Sequence, residues 1–273
     1  MKLLNAIFPF EFLTDCFSGT AEGKLATHSE LRVPPIRGHV RMWHVAAFGI
    51  NSCNEVWGST AGDGAGSRVA MKLTELPQAS AAGSDVLPHK DNERHRGSRP
   101  ALSAGSRATL ELTCLPLCDQ AQWDKAQQAV KLWLLLGTLG LRSARAAGSV
   151  WPIEDPVKPW VPNDAATLKK TLTALGLGRQ SVALIGEGKG STARDLRTTA
   201  SDTVNERTVF GGINDRAPSP TRFKVISLGT GQCLLANAAQ NVPSTLTRAE
   251  SLLCRKPQPA RWVALGAWNH LLP

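Results

Sequence analysis

The first half of the chain alternates between strand-like and helix-like hydrophobic patterns. Residues 2–13 (KLLNAIFPFEFL) are rich in apolar and aromatic side chains and predict an opening strand, in which Pro9 indicates an edge position or a bulge. Residues 36–49 (IRGHVRMWHVAAFG) have helical periodicity and stop at Gly49. The pattern then predicts strands at 68–73 and 107–114, a helix from 120 to 136 and a strand at 150–153.

This order of strand, helix, strand, strand, helix and strand fits a ferredoxin-like unit over residues 1–155. Residues 77–106 interrupt it with a stretch rich in Ser, Gly, Pro and charge that shows no periodicity. A structureless stretch of that length is unusual inside a compact domain, so we expect a mobile loop there. The four prolines of PIEDPVKPWVP (152–162) predict a linker to a second domain, 156–273.

The second half has a less regular pattern. We expect a helix at 164–175, a strand at 181–187, a polar helix or loop to 205, and two strands around 223–228 and 232–238. Residues 56–73 and 209–228 share one order, an aromatic residue, glycine, a polar turn and a basic strand. This shared pattern indicates a duplicated unit, although two glycine turns can also resemble each other by chance.

Charge and composition narrow the classes of partner. The formal net charge of +9 favours a polyanionic partner, although many proteins are this basic without one. The longest apolar run, 132–141, is half a membrane span, and the first residues lack the pattern of a signal peptide. Six scattered cysteines suit a reducing compartment. We expect a cytoplasmic protein without membrane contact.

Two segments carry the pattern of anion-binding elements. The start of the 36–49 helix offers unpaired N–H groups, with Arg37, Arg41 and His44 on one stripe for successive phosphates. The segment LGLRSARAAGSV (139–150) combines glycines, which allow close backbone approach, with arginines that bind phosphates. The structural alternatives are a solvated basic helix face and a turn that ends the preceding helix.

Catalytic and cofactor motifs are weak. IGEGKGST (185–192) lacks the first glycine of a Walker A loop, and no metal-ligand spacing occurs, so we expect no cofactor and no metal. Tyrosine is absent, so any base stacking must come from Trp, Phe, His or Arg side chains. Trp57, Trp151 and Trp160 are candidates, although core packing is the ordinary role of each. His28 lies in a loop where a general base for attack by a ribose 2′-OH would fit, although a lone loop histidine is usually structural or solvent-exposed.

Four motifs in order resemble the RAMP superfamily of CRISPR-associated RNA-binding proteins. The chain is most similar to the first-subunit family of the type III-B Cmr RNA-targeting complex. The matching positions fall in a helix start, an aromatic-Gly-Ser turn, a glycine-rich loop and a late F-G…R-x-S-P element. They are Pro35, Ile36, Arg37, Gly38, Arg41 and Trp43; Trp57, Gly58 and Ser59; Gly137, Gly140, Arg142, Ser143, Arg145 and Gly148; and Phe210, Gly211, Arg216, Ser219 and Pro220. The loop departs from the family at Ala144, Ala146 and Ala147, where more basic and aromatic residues are usual.

The resemblance implies an α+β fold of two tandem ferredoxin-like (RRM-like) domains with glycine-rich loops. It implies a non-catalytic subunit of a type III effector ribonucleoprotein, bound to crRNA near its 3′ region, to target single-stranded RNA and to other RAMP subunits. The expected RNA-binding residues are Arg37, Gly38, Arg41, His44, Gly140, Arg142, Ser143, Arg145, Gly148 and Arg216. The alternative function is a metal-independent RAMP-type endoribonuclease that processes CRISPR transcripts, with His28 or His44 as acid or base.

Overall fold

The structure is a computed structural model. It describes residues 4–19, 28–60, 62, 64–77, 80–90, 92–157, 159–177, 181–187, 192–201, 207–210, 219–229, 231–238, 246, 248, 269 and 270. Within those residues, no helix has the length and apolar character needed to cross a membrane. Likewise, no three His, Cys, Asp or Glu side chains among them cluster as metal ligands would.

Strands and helices are mixed along both halves of the chain. In order, the elements are β1 (Asn5–Phe12), α1 (Val33–Trp57), β2 (Val69–Glu75), β3 (Ser80–Asp85), α2 (Glu93–Arg96), β4 (Ser98–Ala101), β5 (Arg107–Cys114), α3 (Gln120–Leu136), β6 (Val150–Pro152), α4 (Ala165–Ala174), β7 (Ser181–Glu187), α5 (Ala193–Ser201), α6 (Arg207–Phe210), β8 (Thr221–Leu228), β9 (Gly231–Ala238) and β10 (Asn269–His270). The predicted α+β class is confirmed.

The first half forms one antiparallel sheet with the strand order β2-β5-β1-β6. Alternate residues of β1 point into the core, where Phe10 meets Trp133 of α3 edge-on with ring centroids 5.5 Å apart. Helix α3 begins with a complete capping box between Asp119 and Gln122. Its apolar face and that of α1 share this core. The sheet and its two helices therefore enclose one hydrophobic layer.

The prediction that Pro9 marks an edge or a bulge is wrong. Strand β1 lies in the middle of the sheet, and Pro9 pairs with Thr109 of β5 in regular register. On its other side, the short strand β6 ends at Pro152, after which the Pro9 carbonyl accepts from Ile153 N at 2.9 Å. The β1–β6 pairing ends at Phe10 and Pro152. Because Pro9 lies just beyond that pairing, its missing N–H leaves no residue of β6 without a partner.

Residues 77–106 also differ from the prediction of a structureless loop. They contain the antiparallel pair β3–β4 with the short helix α2 between the strands. Val86 and Ala101 are buried with Phe17 and Ala147 in a small second cluster. The apolar anchors are too few and too widely spaced to give a periodic signal, so the sequence pattern alone does not show them.

The second half forms a second antiparallel sheet with the order β10-β7-β9-β8. The two halves meet where β8 lies beside the first sheet's edge. There the Lys224 side chain is fully buried, donates from Nζ to the Leu134 carbonyl at the end of α3, and lies 5.7 Å from the Trp151 ring centroid. Burial lowers the pKa of Lys224 well below its ordinary value of 10.5.

Candidate nucleic-acid interface

Helix α1 reverses within its own length. Gly49 has φ 84° and ψ 168°, which breaks the helix into two segments. A left-handed φ of this kind favours glycine. The second segment, 50–57, returns along the first and ends at Gly58. The sequence placed the helix stop at Gly49 correctly, but it did not show that a second helical segment follows and folds back.

The arginines of α1 face that returning segment. Arg37 donates to the Trp57 carbonyl, and Arg41 donates to the Gly58 carbonyl at 2.8 Å and to Asn54 Oδ1 at 3.4 Å. The last carbonyls of a helix lack intrahelical donors and carry partial negative charge, so guanidinium groups stabilise them. Both arginines are half-buried.

His44 is buried in the same hairpin of helical segments. Its Nδ1 accepts from Trp57 Nε1 at 3.0 Å, and its Nε2 lies 3.1 Å from Ser52 Oγ. Burial, with the positive charges of Lys125 and Arg41, lowers the pKa of His44 to about 4. The structure therefore places His44 in the core as a neutral hydrogen-bonding residue, away from the surface where an RNA contact or an acid–base role was predicted.

The helix start and the aromatic-Gly-Ser turn form one unit through these bonds. A Cβ on Gly58 would lie 2.5 Å from the Ala65 carbonyl oxygen, and its φ of 80° also requires glycine. By contrast, Gly38 is exposed and a Cβ there would meet no atom within 4 Å. Gly38 is thus open to close approach from outside, as the predicted RNA contact requires.

The glycine-rich loop 139–148 is fixed at both ends against residues 15–17. Gly148 N donates to the Asp15 carbonyl at 2.9 Å, and Leu141 N donates to the Phe17 carbonyl at 3.0 Å. A Cβ on Gly140 would lie 2.7 Å from Phe17 O, and one on Gly148 would lie 2.0 Å from Leu139 O. These glycines allow close approach of the loop to its own chain, whereas the prediction was close approach of RNA.

The apex of the loop is its exposed part. Arg142 has a left-handed φ of 60°, although it is not glycine, and its side chain is exposed. Its carbonyl accepts from Arg145 N at 2.8 Å, which closes the apex turn. Ser143 beside it is half-buried, and its carbonyl accepts from Thr138 Oγ1 at 3.0 Å. Strained residues held by surrounding structure are frequent at functional sites.

Arg145 points the other way, onto the second half of the chain. Its Nη2 donates to the Phe210 carbonyl at 2.7 Å, and its guanidinium lies over the Phe210 ring. Burial and the charge of Arg142 lower the pKa of Arg145 to about 10, so the group stays charged at neutral pH. The loop backbone also contacts the second half of the chain, because the Ala144 carbonyl accepts from Phe223 N at 3.1 Å.

Two of the three alanines that depart from the family pattern, Ala146 and Ala147, are packing residues. Ala146 has a φ of 60° and is fully buried, and its carbonyl accepts from Thr14 Oγ1 at 2.6 Å and from Ser149 Oγ at 2.9 Å. Ala147 is buried against Phe17, Val86 and Ala101. A larger side chain at either position would displace the loop from its base.

The predicted site residue Arg216 lies outside the described residues. His28 is exposed, in the loop before α1.

Trp57 and Trp151 are both buried, so neither offers a free ring for stacking, while Trp160 lies under the ammonium of Lys131 at 5.0 Å.

The outward face of the first sheet has no aromatic side chain on its two central strands in the described structure. The positions there are Asn5, Ile7, Pro9 and Glu11 of β1 and Arg107, Thr109, Glu111 and Thr113 of β5. RRM-type recognition stacks bases on aromatic residues of the sheet. That mode is therefore unsupported here, and the loop apex is the better candidate.

Sequence reasoning missed a second group of arginines, centred on Arg197 of α5. The Arg197 side chain is 4% exposed, donates from Nη2 to the Asp85 carbonyl at 2.7 Å, and lies 5.0 Å from the Phe17 ring centroid. Its Nη1 lies 3.8 Å from Asp15 Oδ2, and Arg194 Nη2 lies 3.3 Å from Asp85 Oδ2. The only sequence signal was two arginines three residues apart on a polar helix.

Taken together, the described elements define an α+β protein with two antiparallel four-stranded sheets and a glycine-rich loop joining its halves. The chain is similar to the crystal structure of Cmr1 from Pyrococcus furiosus in its apo form, at a TM-score of 0.67 and 17% identity, covering 98% of this chain and 99% of the other. It has the fold of Cmr1, which confirms the predicted resemblance at the level of fold.

Two further structures are similar over 93% of this chain and 99% of the other, at 10% identity. Both are chains of the type III-B Cmr-beta complex bound to cognate target RNA, with TM-scores of 0.53 and 0.54; the second also contains AMPPnP and was determined in the presence of ssDNA. No protein-family model matches the chain, and no curated protein matches it significantly.

Proposed function

We propose that the protein is a non-catalytic RNA-binding subunit of a type III-B CRISPR effector ribonucleoprotein. In this proposal it contacts the 3′ region of crRNA and target single-stranded RNA, and it assembles with other RAMP subunits in antiviral defence. The fold it shares with Cmr1 and with chains of an RNA-bound Cmr complex supports the class of protein. The net charge of +9 supports a polyanionic partner.

The observation that carries the RNA-binding proposal is the presentation of Arg142. The loop is fixed to residues 15–17 on one side and to Phe210 and Phe223 on the other, so its backbone is held in place. Arg142 is the exposed arginine on that rigid apex. Because the backbone at Arg142 is already fixed, only the side chain has to be ordered when its guanidinium binds a phosphate with two parallel hydrogen bonds.

We further propose that each half is a ferredoxin-like domain, divided near residue 155. The β2-β5-β1-β6 order, with the β3–β4 hairpin inserted before the third strand, supports this for the first half. The second half would be a degenerate copy, and the antiparallel β10-β7-β9-β8 sheet with α4 and α5 is in keeping with that.

The surroundings of His44 support a non-catalytic role. A histidine with a pKa of about 4, whose two ring nitrogens face Trp57 and Ser52, is neutral and engaged at pH 7. It is therefore a poor acid or base for RNA cleavage. This leaves His28 as the remaining candidate for the endoribonuclease alternative.

The deciding experiment measures binding of crRNA and of target RNA by fluorescence anisotropy at several salt concentrations. Arg142→Ala should weaken binding about tenfold and make the slope of log K against log salt shallower by about 0.7. The matched control is Arg107→Ala, an exposed arginine on the outward face of the first sheet. RNA recovered after incubation should be intact.

Unchanged binding in Arg142→Ala would remove the apex from the interface, and an equal loss in Arg107→Ala would move the interface to the sheet. Metal-independent cleavage of repeat RNA that disappears in His28→Ala would establish the endoribonuclease instead.

A further inference from the structure

A cleft of about 340 Å³ lies beside the loop, between the two halves of the chain. Its walls come from the end of β1, from the β3–β4 hairpin, from the turn before β5 and from the start of α5. Its charged lining residues are Asp15, Asp85, Arg194 and Arg197. The volume is at the lower end of the range for small-ligand sites, about 300–1,000 Å³.

The cleft places acceptors and donors side by side. Asp15 uses Oδ1 to accept from Ala104 N at 3.1 Å, while its Oδ2 lies 3.8 Å from Arg197 Nη1, too far for a hydrogen bond. The Arg197 Nε is buried and has no hydrogen-bond partner in the described structure. Arg194 at the rim is 75% exposed on its side chain and can therefore reorient at little cost.

This combination matches one edge of a nucleobase. Unpaired bases of RNA are recognised by hydrogen bonds to their Watson–Crick and Hoogsteen edges. Guanine presents two adjacent N–H donors, which a carboxylate accepts, next to the O6 acceptor, which an arginine donates to. The small residues Gly83, Ser84, Ala104 and Ala193 leave room for a planar ring between these groups.

The cleft is continuous with the glycine-rich loop. Asp15 lines the cleft with its carboxylate, and its carbonyl accepts from Gly148 N at the base of the loop. Phe17, under the guanidinium of Arg197, packs against Ala147 of the loop. A strand of RNA held at Arg142 therefore has a polar recess on the same structural unit.

We propose that this cleft binds the base of one unpaired guanosine in single-stranded RNA, with Asp15 accepting from the base and Arg194 donating to it. The inference rests on the proposed RNA-binding function and adds a base preference to it. The loop apex holds the backbone irrespective of sequence, and the cleft distinguishes guanine from other bases.

The test uses three labelled RNAs and the full-length protein. They are a uridine 10-mer and the same 10-mer with one central guanosine or one central inosine, which lacks the exocyclic amino group. The wild type should bind the guanosine oligomer about tenfold more tightly than the uridine oligomer, with inosine between them. Asp15→Asn should abolish that preference.

Because Asp15 also holds the Ala104 backbone, a second variant fills the cleft without removing a charge. Ala104 is exposed at the rim, so Ala104→Met should fold like the wild type, lose the guanosine preference and keep its affinity for the uridine oligomer. Arg142→Ala should lower affinity for all three RNAs by the same factor.

The outcomes separate the two proposals. If the wild type binds none of the RNAs, the proposed function fails. If it binds all three equally, or if Ala104→Met keeps the guanosine preference, only the cleft assignment is overturned. Equal binding of the three RNAs together with poor incorporation of Ala104→Met into the effector complex would assign the cleft to a protein segment and would also overturn it.

Discussion

The guanidinium of Arg145 lies over the ring of Phe210, with its Cζ 5.1 Å from the ring centroid, and Nη2 donates to the Phe210 carbonyl at 2.7 Å. The two residues are 65 positions apart. One side chain thus joins the glycine-rich loop of the first half to α6 of the second by a charged hydrogen bond and a cation–π contact. The position of the loop depends on both halves.

Arg145→Ala should lower the free energy of unfolding by about 2 kcal/mol, since it removes a charge-assisted hydrogen bond and a cation–π contact. Phe210→Leu keeps the carbonyl and should cost about 1 kcal/mol. Urea unfolding followed by tryptophan fluorescence measures both. The double variant should lose less than the sum, so strict additivity would show that the two side chains are not coupled.

Gly148→Ala should be among the most damaging single changes in the loop. The added Cβ would lie 2.0 Å from Leu139 O at a φ of 61°, and neither atom can move without distorting the loop. We expect a loss of more than about 3 kcal/mol in the free energy of unfolding. A thermal midpoint within 2 °C or so of the wild type would contradict the described geometry.

Gly38→Ala is the matched control for Gly148→Ala, with the opposite expected effect on stability. Its Cβ meets no atom within 4 Å, and Gly38 lies in a helix, so the variant should be more stable by about 0.5–1 kcal/mol. If RNA approaches this helix surface closely, as predicted, the more stable protein should bind RNA more weakly. Stability and RNA affinity that rise together would exclude Gly38 from the interface.

Lys224 makes the free energy of unfolding depend on pH in the alkaline range. Its pKa is lowered well below 10.5 in the folded chain, so the unfolded chain binds more protons between the folded pKa and 10.5. The free energy of unfolding should therefore rise with pH through that window and level off above it. Lys224→Met should remove this rise and be as stable as the wild type or more so at neutral pH. Urea titrations at several pH values between 7 and 10 test this, and the same slope in both proteins would contradict it.

His44 makes the free energy of unfolding depend on pH in the acid range. Because its pKa falls from 6.5 to about 4 on folding, the unfolded chain takes up the proton first as pH decreases. The His44 contribution is complete above pH 6.5 and is lost progressively down to about pH 4. His44→Gln, which keeps an acceptor for Trp57 without titrating, should be less sensitive to pH in that range. Unfolding titrations at pH 7, 5.5 and 4.5 give the comparison.

The order of elements was accessible from the sequence because most depend on local patterns. Alternation in 107–114, the Asp119 capping box and the apolar run of 181–187 predict β5, α3 and β7 closely. Apolar residues that recur with the period of a helix or a strand need no information from distant parts of the chain. The α+β class follows from them.

The sequence could not predict which atoms the polar side chains contact. Arg37, Arg41 and His44 form a stripe on the helical wheel, and the same stripe serves a solvated face, a phosphate site or a neighbouring helix. The break at Gly49 brings Trp57 and Gly58 back to the stripe, where their carbonyls accept from Arg37 and Arg41. Arg142 and Arg145 are likewise equivalent in sequence, but only Arg142 is exposed.

The attachment of residues 13–17 also bears on when the loop can form. Thr14 and Ala146 are 132 positions apart, Thr14 and Ser149 are 135 apart, and Asp15 meets Arg197 of α5. Contacts of such long sequence separation form late because a large chain loop must close first. During synthesis the segment 13–17 has no native partners in the loop until residues 139–148 leave the ribosome. The apex that carries Arg142 is therefore expected to be one of the last surfaces to reach its final shape, and a chain truncated before residue 139 would lack it altogether.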